Sequence, residues 1–492
     1  MNQPGITIIG LGPGDPKLIT RLAWEMLNSA KEVYLRTSLH PSVSGFPKGL
    51  TVHSFDHLCE QDITFEEVFA KITETILEIG QRESGVLYAV PGHPFIAEAT
   101  TPEIVRIAKD KGIPVRVIEG LSFIEPLFGL LELDPLPQTT FIDGLELATT
   151  HHPPFPPSAP AVIAQIYSPS IASEVKLSLM AVYPVDYQVK LVHDAGTVDG
   201  RVETMELHEI DGNQNMGMQT ALYIPAMVSS SSFEGFQEVV AHLRAPDGCP
   251  WDREQTHQSL RPYLLEETYE VLAALDDENQ AALQEELGDL LLQIVLHAQI
   301  ASEFGDFSMV GVLQGIQEKL IHRHPHVYGD VEADDPQTVL ENWEKIKIAE
   351  REELDLDTNG VLNGVSAELP ALVQAETYQQ RVKRVGFDWP DIQGVYDKVA
   401  EELVEVKQSE TANEIEDEIG DLLFAVVNLA RWHEVDAESA LRLANNKFRQ
   451  RFEDMEGEVR RQEMDIANLN IRELDQLWNR VKEKKEPNNS NE

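Results

Sequence analysis

Residues 265–292 read LEETYEVLAALDDENQAALQEELGDLLL, and this stretch decides how the carboxyl-terminal half of the chain folds. Apolar residues recur at helical spacing on both sides of a polar break at 276–279, which predicts two helices joined by a short turn. Glu266, Glu267 and Glu270 are set into the first stripe, and Glu286 and Asp289 into the second. Residues three apart share a helix face. Antiparallel packing of the two helices would therefore bring Glu267, Glu270, Glu286 and Asp289 to one small volume. Four ionised carboxylates at such range repel one another and call for cations. An all-oxygen set suits a hard ion such as Mg²⁺ or Mn²⁺. For one such cluster the competing reading is acidic decoration of a solvated helix face.

The chain then repeats itself. Residues 401–424 read EELVEVKQSETANEIEDEIGDLLF. Glu402 and Glu405 stand 135 positions beyond Glu267 and Glu270, and Glu418 and Asp421 stand 132 beyond Glu286 and Asp289. Trp478 and Lys482 return to an offset of 135 from Trp343 and Lys347. The difference is expected in the interhelical loop, where length varies freely. Two copies of one acidic geometry argue against decoration. A di-iron carboxylate bundle would need Glu-x-x-His pairs, whereas the i+3 partners here are Glu270, Asp289, Glu405 and Asp421.

An EExxE followed by an ExxD, twice over, resembles the MazG family of nucleoside triphosphate pyrophosphohydrolases. Members of that family are all-helical, hold Mg²⁺ on these carboxylates, and cleave an NTP to NMP and pyrophosphate. The flanking segments GCPWD (248–252) and HRHPHVYGD (322–330) agree in the first copy, and KRVGFDWP (383–390) and NNKFRQRF (445–452) in the second. The resemblance implies metal ligation by Glu267, Glu270, Glu286, Asp289, Glu402, Glu405, Glu418 and Asp421. It implies nucleotide contacts from Lys398, Lys447, Arg451 and Trp478. In the first copy Lys319 and Arg323, four apart on one helix, can meet phosphate oxygens, and Trp343 can stack on a base. Glu266 and Glu401 open each EExxE and would support the ligands or take the proton of the attacking water. The family's basic residue one turn before the ExxD glutamate is Ala282 in the first copy and Glu414 in the second. His322, His324 and His326 flank Pro325, which breaks a helix, so a loop is expected there and zinc is not.

A length of 492 residues, 42% of them apolar, suggests about three domains with substantial cores. The net charge of −45 argues against a nucleic-acid or anionic-membrane partner. Residues 1–225 carry −14 of it and the remainder −31. Cys59 and Cys249 stand far apart, so no disulfide framework is implied and a reducing cytoplasm fits. The start, MNQPGITIIG, reads as a strand and not as a signal peptide. No apolar run reaches the roughly 18 residues of a membrane span; that over 290–300 is too short and holds Gln293 and His297.

Residues 1–225 alternate strand-like and helix-like stretches, with strands expected at 6–10, 33–36, 86–90, 115–118, 161–167, 189–193, 202–207 and 220–224, and a helix from 18 to 30. The last two strands leave no room for a helix between them, which points to a mixed second half. Three turns follow three strands: GLGPGD (10–15), VPGHPF (90–95) and EGLSF (119–123). Such loops suit a small-molecule site at strand carboxyl ends. Pro13 lacks an N–H, so the first is a poorer phosphate cradle than a P-loop.

Together GLGPGDPKLIT (10–20), YAVPGHPFIAE (88–98) and VIEGLSF (117–123) resemble the tetrapyrrole methylases, a two-lobed α/β family that binds S-adenosylmethionine between its lobes. LRTSLHP (35–41), HHPPFPP (151–157), SEVKLSLMAVYP (173–184) and AGT (195–197) look like the version fused to MazG. The resemblance implies cofactor contacts from Pro13, Pro91, Gly92, His93, Ile96, Ser122 and Phe123, with backbone near Gly196. Where the family commonly has Gly-Asp-Pro, this chain has Gly92-His93-Pro94.

The expected organisation is a methylase-like domain over 1–225, helical units over 226–353 and 370–484 with a linker at 354–369, and a polar tail over 485–492. The expected function is Mg²⁺-dependent hydrolysis of NTPs or dNTPs in the cytoplasm, controlling nucleotide pools, by a homodimer assembled through its helical units. The alternative is a methyltransferase acting on another acceptor, with the helical units as nucleotide-sensing or assembly modules.

Overall fold

The computed structural model describes residues 4–59, 64–228, 231–353, 360–462 and 464–485. The first part of the expected linker, 354–359, and the tail from 486 lie outside them. The chain divides into two compact units, Met1–Ala245 and Pro246–Glu492. That division falls after the serine-rich stretch 226–235 and leaves the helix Phe233–Arg244 with the first unit.

In the first unit the strands are β1 (Ile6–Gly10), β2 (Glu32–Leu35), β3 (Thr51–Ser54), β4 (Val86–Val90), β5 (Val115–Ile118), β6 (Thr140–Asp143), β7 (Ala161–Ala164), β8 (Gln188–His193), β9 (Arg201–Glu206) and β10 (Thr220–Ile224). The helices are α1 (Arg21–Ser29), α2 (Asp56–Cys59), α3 (Phe65–Gly80), α4 (Thr100–Asp110), α5 (Ile124–Leu131), α6 (Gly144–Leu147), α7 (Pro169–Met180) and α8 (Phe233–Arg244). One sheet, ordered β3-β2-β4-β1-β5, is parallel throughout. Both of its faces are covered, as a parallel sheet requires. Ile6, Ile8, Val86 and Tyr88 pack with Ile72, Ile76 and Ile104 of α3 and α4, while Ile9, Leu87 and Ala89 pack with Ala23 and Leu27 of α1.

The other sheet runs β6-β7-β10-β8-β9, parallel only between β6 and β7. It is the mixed sheet expected of the second half. Between β9 and β10, however, the chain forms a six-residue 3₁₀ helix, Leu207–Gly212, that buries Leu207 and Ile210. Strand spacing alone did not disclose this element. The expected helix from 18 starts at Arg21, because the Thr20 hydroxyl accepts from the Ala23 N–H and Pro16–Leu18 forms a separate 3₁₀ turn.

The second unit comprises α9 (Pro250–Glu254), α10 (His257–Asp276), α11 (Gln280–Phe304), α12 (Met309–Arg323), α13 (Pro325–Tyr328), α14 (Pro336–Glu353), α15 (Ala371–Arg384), α16 (Ile392–Gln408), α17 (Ala412–Trp432), α18 (Ala437–Arg461) and α19 (Ile471–Lys485). The helices α10 and α11 pack together, as do α16 and α17. Caps set their ends: Asn279 accepts from the Ala282 N–H, and Thr411 forms a capping box with Glu414. The offset of three does not lie in the loop as expected. Residues 277–279 and 409–411 are equally long connections, and α10 runs further past Glu270 than α16 runs past Glu405. The histidine tract is likewise not all loop, since Pro325 opens the short helix α13.

Candidate active centres and cofactor cleft

The two hairpins bring the paired carboxylates together. In the first, Glu267 and Glu270 of α10 meet Glu286 of α11, with carboxylate oxygens within 4.8 Å of one another. Asp289 is close enough to act on Glu267 through its charge. In the second, Glu402 belongs to two such groups, one with Glu401 and Glu405 and one with Glu418 and Asp421. Burial, then Asp289 and Glu270, push the Glu267 carboxyl above its ordinary value, and burial followed by Glu270 and Glu285 does the same for Glu286. Glu405 and Glu418 are raised in the same way, by burial first and then by Glu402. Crowding of this kind favours a proton or a metal ion at each cluster.

The second centre is the more enclosed. Glu402 is 3% exposed, and its Oε2 is buried with no hydrogen-bond partner. A buried carboxylate oxygen left without a partner is costly, and a hard cation would satisfy it. Lys398, one turn earlier on α16, places Nζ 2.6 Å from Glu402 and 2.7 Å from Glu401. These bonds to Glu401 and Glu402 hold its ammonium well above the ordinary lysine range. Tyr263 takes this position in the first copy and lies edge-on to Trp251.

The remaining residues expected to contact nucleotide lie on the later helices. Lys447 is exposed on α18, and the Arg451 guanidinium sits 6.0 Å from the Trp478 ring centroid. Phe448 packs on the same ring. In the first copy Lys319 is exposed. Arg323 makes a 2.6 Å ion pair with Glu350 and lies with Lys347 against Trp343, so its charge is already engaged. Glu414 accepts from the Thr411 and Glu410 N–H groups. It caps a helix at the position where the resemblance implies a basic residue.

Two supports join residues far apart in the sequence. Asp388, inside KRVGFDWP, takes both Arg431 N–H groups and the Trp432 indole N–H, tying the loop before α16 to α17. Asp276, at the end of α10, pairs with Arg442 of α18 at 2.8 Å and so joins the two copies. Both aspartates were visible as residues, but the arginines answering them lie 43 and 166 positions away.

In the α/β unit the three post-strand loops converge. A Cβ on Gly10 would lie 2.5 Å from the Gly92 carbonyl and 2.7 Å from Gly120, and a Cβ on Gly120 would strike the same carbonyl. Gly12 and Gly92 exchange backbone hydrogen bonds. Gly92 itself has φ +64°, and its own Cβ direction opens onto space with no atom within 4 Å. That opening is what a cofactor cradle needs. Pro13 is held from the second sheet, where Gln219 donates to its carbonyl at 2.7 Å and Gly196 backs onto its ring. His93 Nδ1 accepts from the Phe95 N–H, so the imidazole closes the turn as an aspartate would. Ile96 closes the same turn through its N–H to the His93 carbonyl, and Pro91 leads into it. Ser122 is buried and bonded to Glu125, directly before Phe123 and α5. A further support was unforeseen: Arg36, at the end of β2, meets buried Glu98 at 2.5 Å, and Glu98 also accepts from the Thr100 N–H. This pair anchors the far end of the second loop.

Glycine-lined loops that converge in the α/β unit and two helical hairpins, each closing on a carboxylate cluster, define a chain that joins an α/β domain to a pair of candidate metal centres. A family model described as the MazG nucleotide pyrophosphohydrolase domain matches residues 255–328 and 399–455, and one described as tetrapyrrole (corrin/porphyrin) methylases matches residues 5–211. A Bacillus subtilis relative, named uncharacterized protein YabN, is 38% identical over 492 residues, covering 97% of this chain and 98% of its own. The nucleoside triphosphate pyrophosphohydrolase/pyrophosphatase MazG of Thermotoga maritima is 46% identical over 250 residues, covering 51% of this chain and 95% of its own. A solved uroporphyrin-III C-methyltransferase from Thermus thermophilus aligns with 45% of this chain and 93% of its own at 19% identity and TM-score 0.36. The chain belongs to the MazG family of nucleotide pyrophosphohydrolases, with a tetrapyrrole methylase domain preceding its two helical repeats.

Proposed function

We propose that the chain hydrolyses nucleoside triphosphates, ribo or deoxy, to the monophosphate and pyrophosphate with Mg²⁺ or Mn²⁺ held on the helical clusters. The observation that carries this reading is Glu402, buried, shared by two carboxylate groups and left with an unpartnered oxygen. The ligands would be Glu402, Glu405, Glu418 and Asp421 in the second repeat and Glu267, Glu270, Glu286 and Asp289 in the first. The bound ion would neutralise phosphate charge and acidify a water. The chain's own groups do the rest. Lys398, Lys447 and Arg451 would bind triphosphate oxygens, and Trp478 would pack against the base; Lys319, Arg323 and Trp343 are their counterparts. Glu401 and Glu266 would take the water proton. A substrate with about four negative charges meets repulsion from bare carboxylates, so metal must accompany it.

Exposed apolar residues on the helices fit an assembly of the same kind. Leu287, Leu291 and Ile294 of α11 are exposed, and so are Ile419, Leu423 and Val426 of α17, 132 positions on in each case. Repeated apolar stripes on the ligand-bearing helices would be covered in a homodimer built through the helical units. The cleft of the α/β domain would hold S-adenosylmethionine or its demethylated product against Pro13, Pro91, Gly92, His93, Ile96, Ser122 and Phe123. Among the described residues no helix is long and apolar enough to cross a membrane, which is consistent with action on cytoplasmic nucleotide pools.

The test is incubation with each NTP and dNTP, with Mg²⁺ and with EDTA. Hydrolysis should require the metal, and a rate unchanged by EDTA would refute the assignment.

A further inference from the structure

The two carboxylate clusters differ in one respect that ligand counting hides. In the second repeat a cation belonging to the chain already stands among the carboxylates: Lys398 Nζ lies 2.6 Å from Glu402 and 2.7 Å from Glu401. Glu402 is also the residue common to both oxygen groups of that repeat. An ammonium on one oxygen of the shared carboxylate competes with a metal ion for the same negative charge. In the first repeat the corresponding residue is Tyr263, turned edge-on to Trp251 at 6.2 Å. A phenol brings no positive charge to Glu267, Glu270 and Glu286, which crowd together without an ammonium from that position.

We infer that Lys398 is a tethered counter-cation that occupies the second centre in place of metal, so that metal loading there displaces it and frees it to grip the triphosphate. The first centre, lacking such a cation, takes its metal without competition. The inference rests on the proposed metal-dependent function and adds an order of events to it. The first repeat is metal-loaded ahead of substrate, whereas the second is loaded together with the nucleotide. Lys398 holds Glu402 Oε1 while Oε2 is left without a partner, so an entering ion meets Oε2 first and draws the charge of the shared carboxylate away from the ammonium. No covalent step is involved. Lys398 acts as a gating and positioning residue, and its effect is read in metal affinity and not only in turnover.

The experiment is Mn²⁺ titration of the full-length protein without nucleotide, followed by the paramagnetic signal of the free ion. Wild type should show a tight and a weak class of site, and Glu267→Gln with Glu270→Gln should remove the tight class. Lys398→Met should tighten the weak class about tenfold or more, the worth of a charge-assisted hydrogen bond, and leave the tight class alone. Lys398→Arg, which keeps the charge, should resemble wild type and guards against a folding artefact in the Met variant. Addition of an α,β-methylene triphosphate should tighten the weak class in wild type much more than in Lys398→Met. A weak class that is unchanged or weakened by Lys398→Met overturns the inference while leaving the metal centres standing. Absence of Mn²⁺ binding in wild type overturns the metal-dependent reading itself, and the inference with it.

Discussion

At the scale of the residue, Gly92 and Asp388 show how much one position carries. Gly92 holds φ +64° and faces open space, while its carbonyl packs against Gly10 and Gly120. Gly92→Trp would strain the backbone and fill the cradle. It should abolish binding of S-adenosylmethionine, followed by calorimetry, and leave NTP hydrolysis nearly intact; an unchanged dissociation constant would remove Gly92 from the site. Asp388 and Arg431 form a bidentate pair with side chains 14% and 6% exposed. Removing one partner of a buried pair leaves the other uncompensated and costs about 3–5 kcal/mol. Asp388→Ala should lower the urea midpoint of the helical unit accordingly, and a change within error would mean the pair is replaceable by water.

At the scale of the element, the helices were legible because their apolar stripes and acidic pairs share one period. The same spacing that predicts a helix predicts which carboxylates share its face, and the two hairpins put them there. The extra residues of the first hairpin proved to lengthen α10 and not its loop. Spacing between motifs cannot distinguish these, since a helix end is set by caps such as Asn279 and Thr411. The strands β3 and β6 passed unseen for a related reason. Both are edge strands with little burial, so neither shows the apolar alternation that marks a half-buried strand. The apolar stripes of α11 and α17 give an expectation at this scale. Leu291→Glu with Leu423→Glu should shift the protein toward monomer in sedimentation, and an unaltered sedimentation coefficient would place the interface elsewhere.

At the scale of the whole molecule, charge links metal, proton and stability. The raised carboxyls of Glu267, Glu286, Glu405 and Glu418 bind protons more tightly folded than unfolded. Their favourable contribution is therefore present at low pH and is lost as pH rises through their elevated values, unless a metal replaces the protons. The rise in melting temperature produced by Mg²⁺ should accordingly be larger near about pH 8 than near about pH 5. An increase that is independent of pH would show that the ion binds away from these groups. The repeats also differ in weight. Glu402 is buried and shared between two carboxylate groups, and Lys398 stands beside it, whereas the first repeat has Tyr263. Glu402→Gln with Glu405→Gln should thus lower turnover more than Glu267→Gln with Glu270→Gln, and equal losses would mean that the two repeats build their centres jointly.

Under the proposed function these carboxylate clusters direct cleavage between the α and β phosphates. Phosphorus NMR of an NTP turned over by the full-length protein with Mg²⁺ reads the products, with the Glu402→Gln and Glu405→Gln double variant as the comparison. Nucleoside monophosphate and pyrophosphate should be the only primary products, formed much more slowly by the variant. Nucleoside diphosphate and orthophosphate as the first products, or full pyrophosphate release by the variant and by its counterpart in the first repeat, would contradict the proposed function.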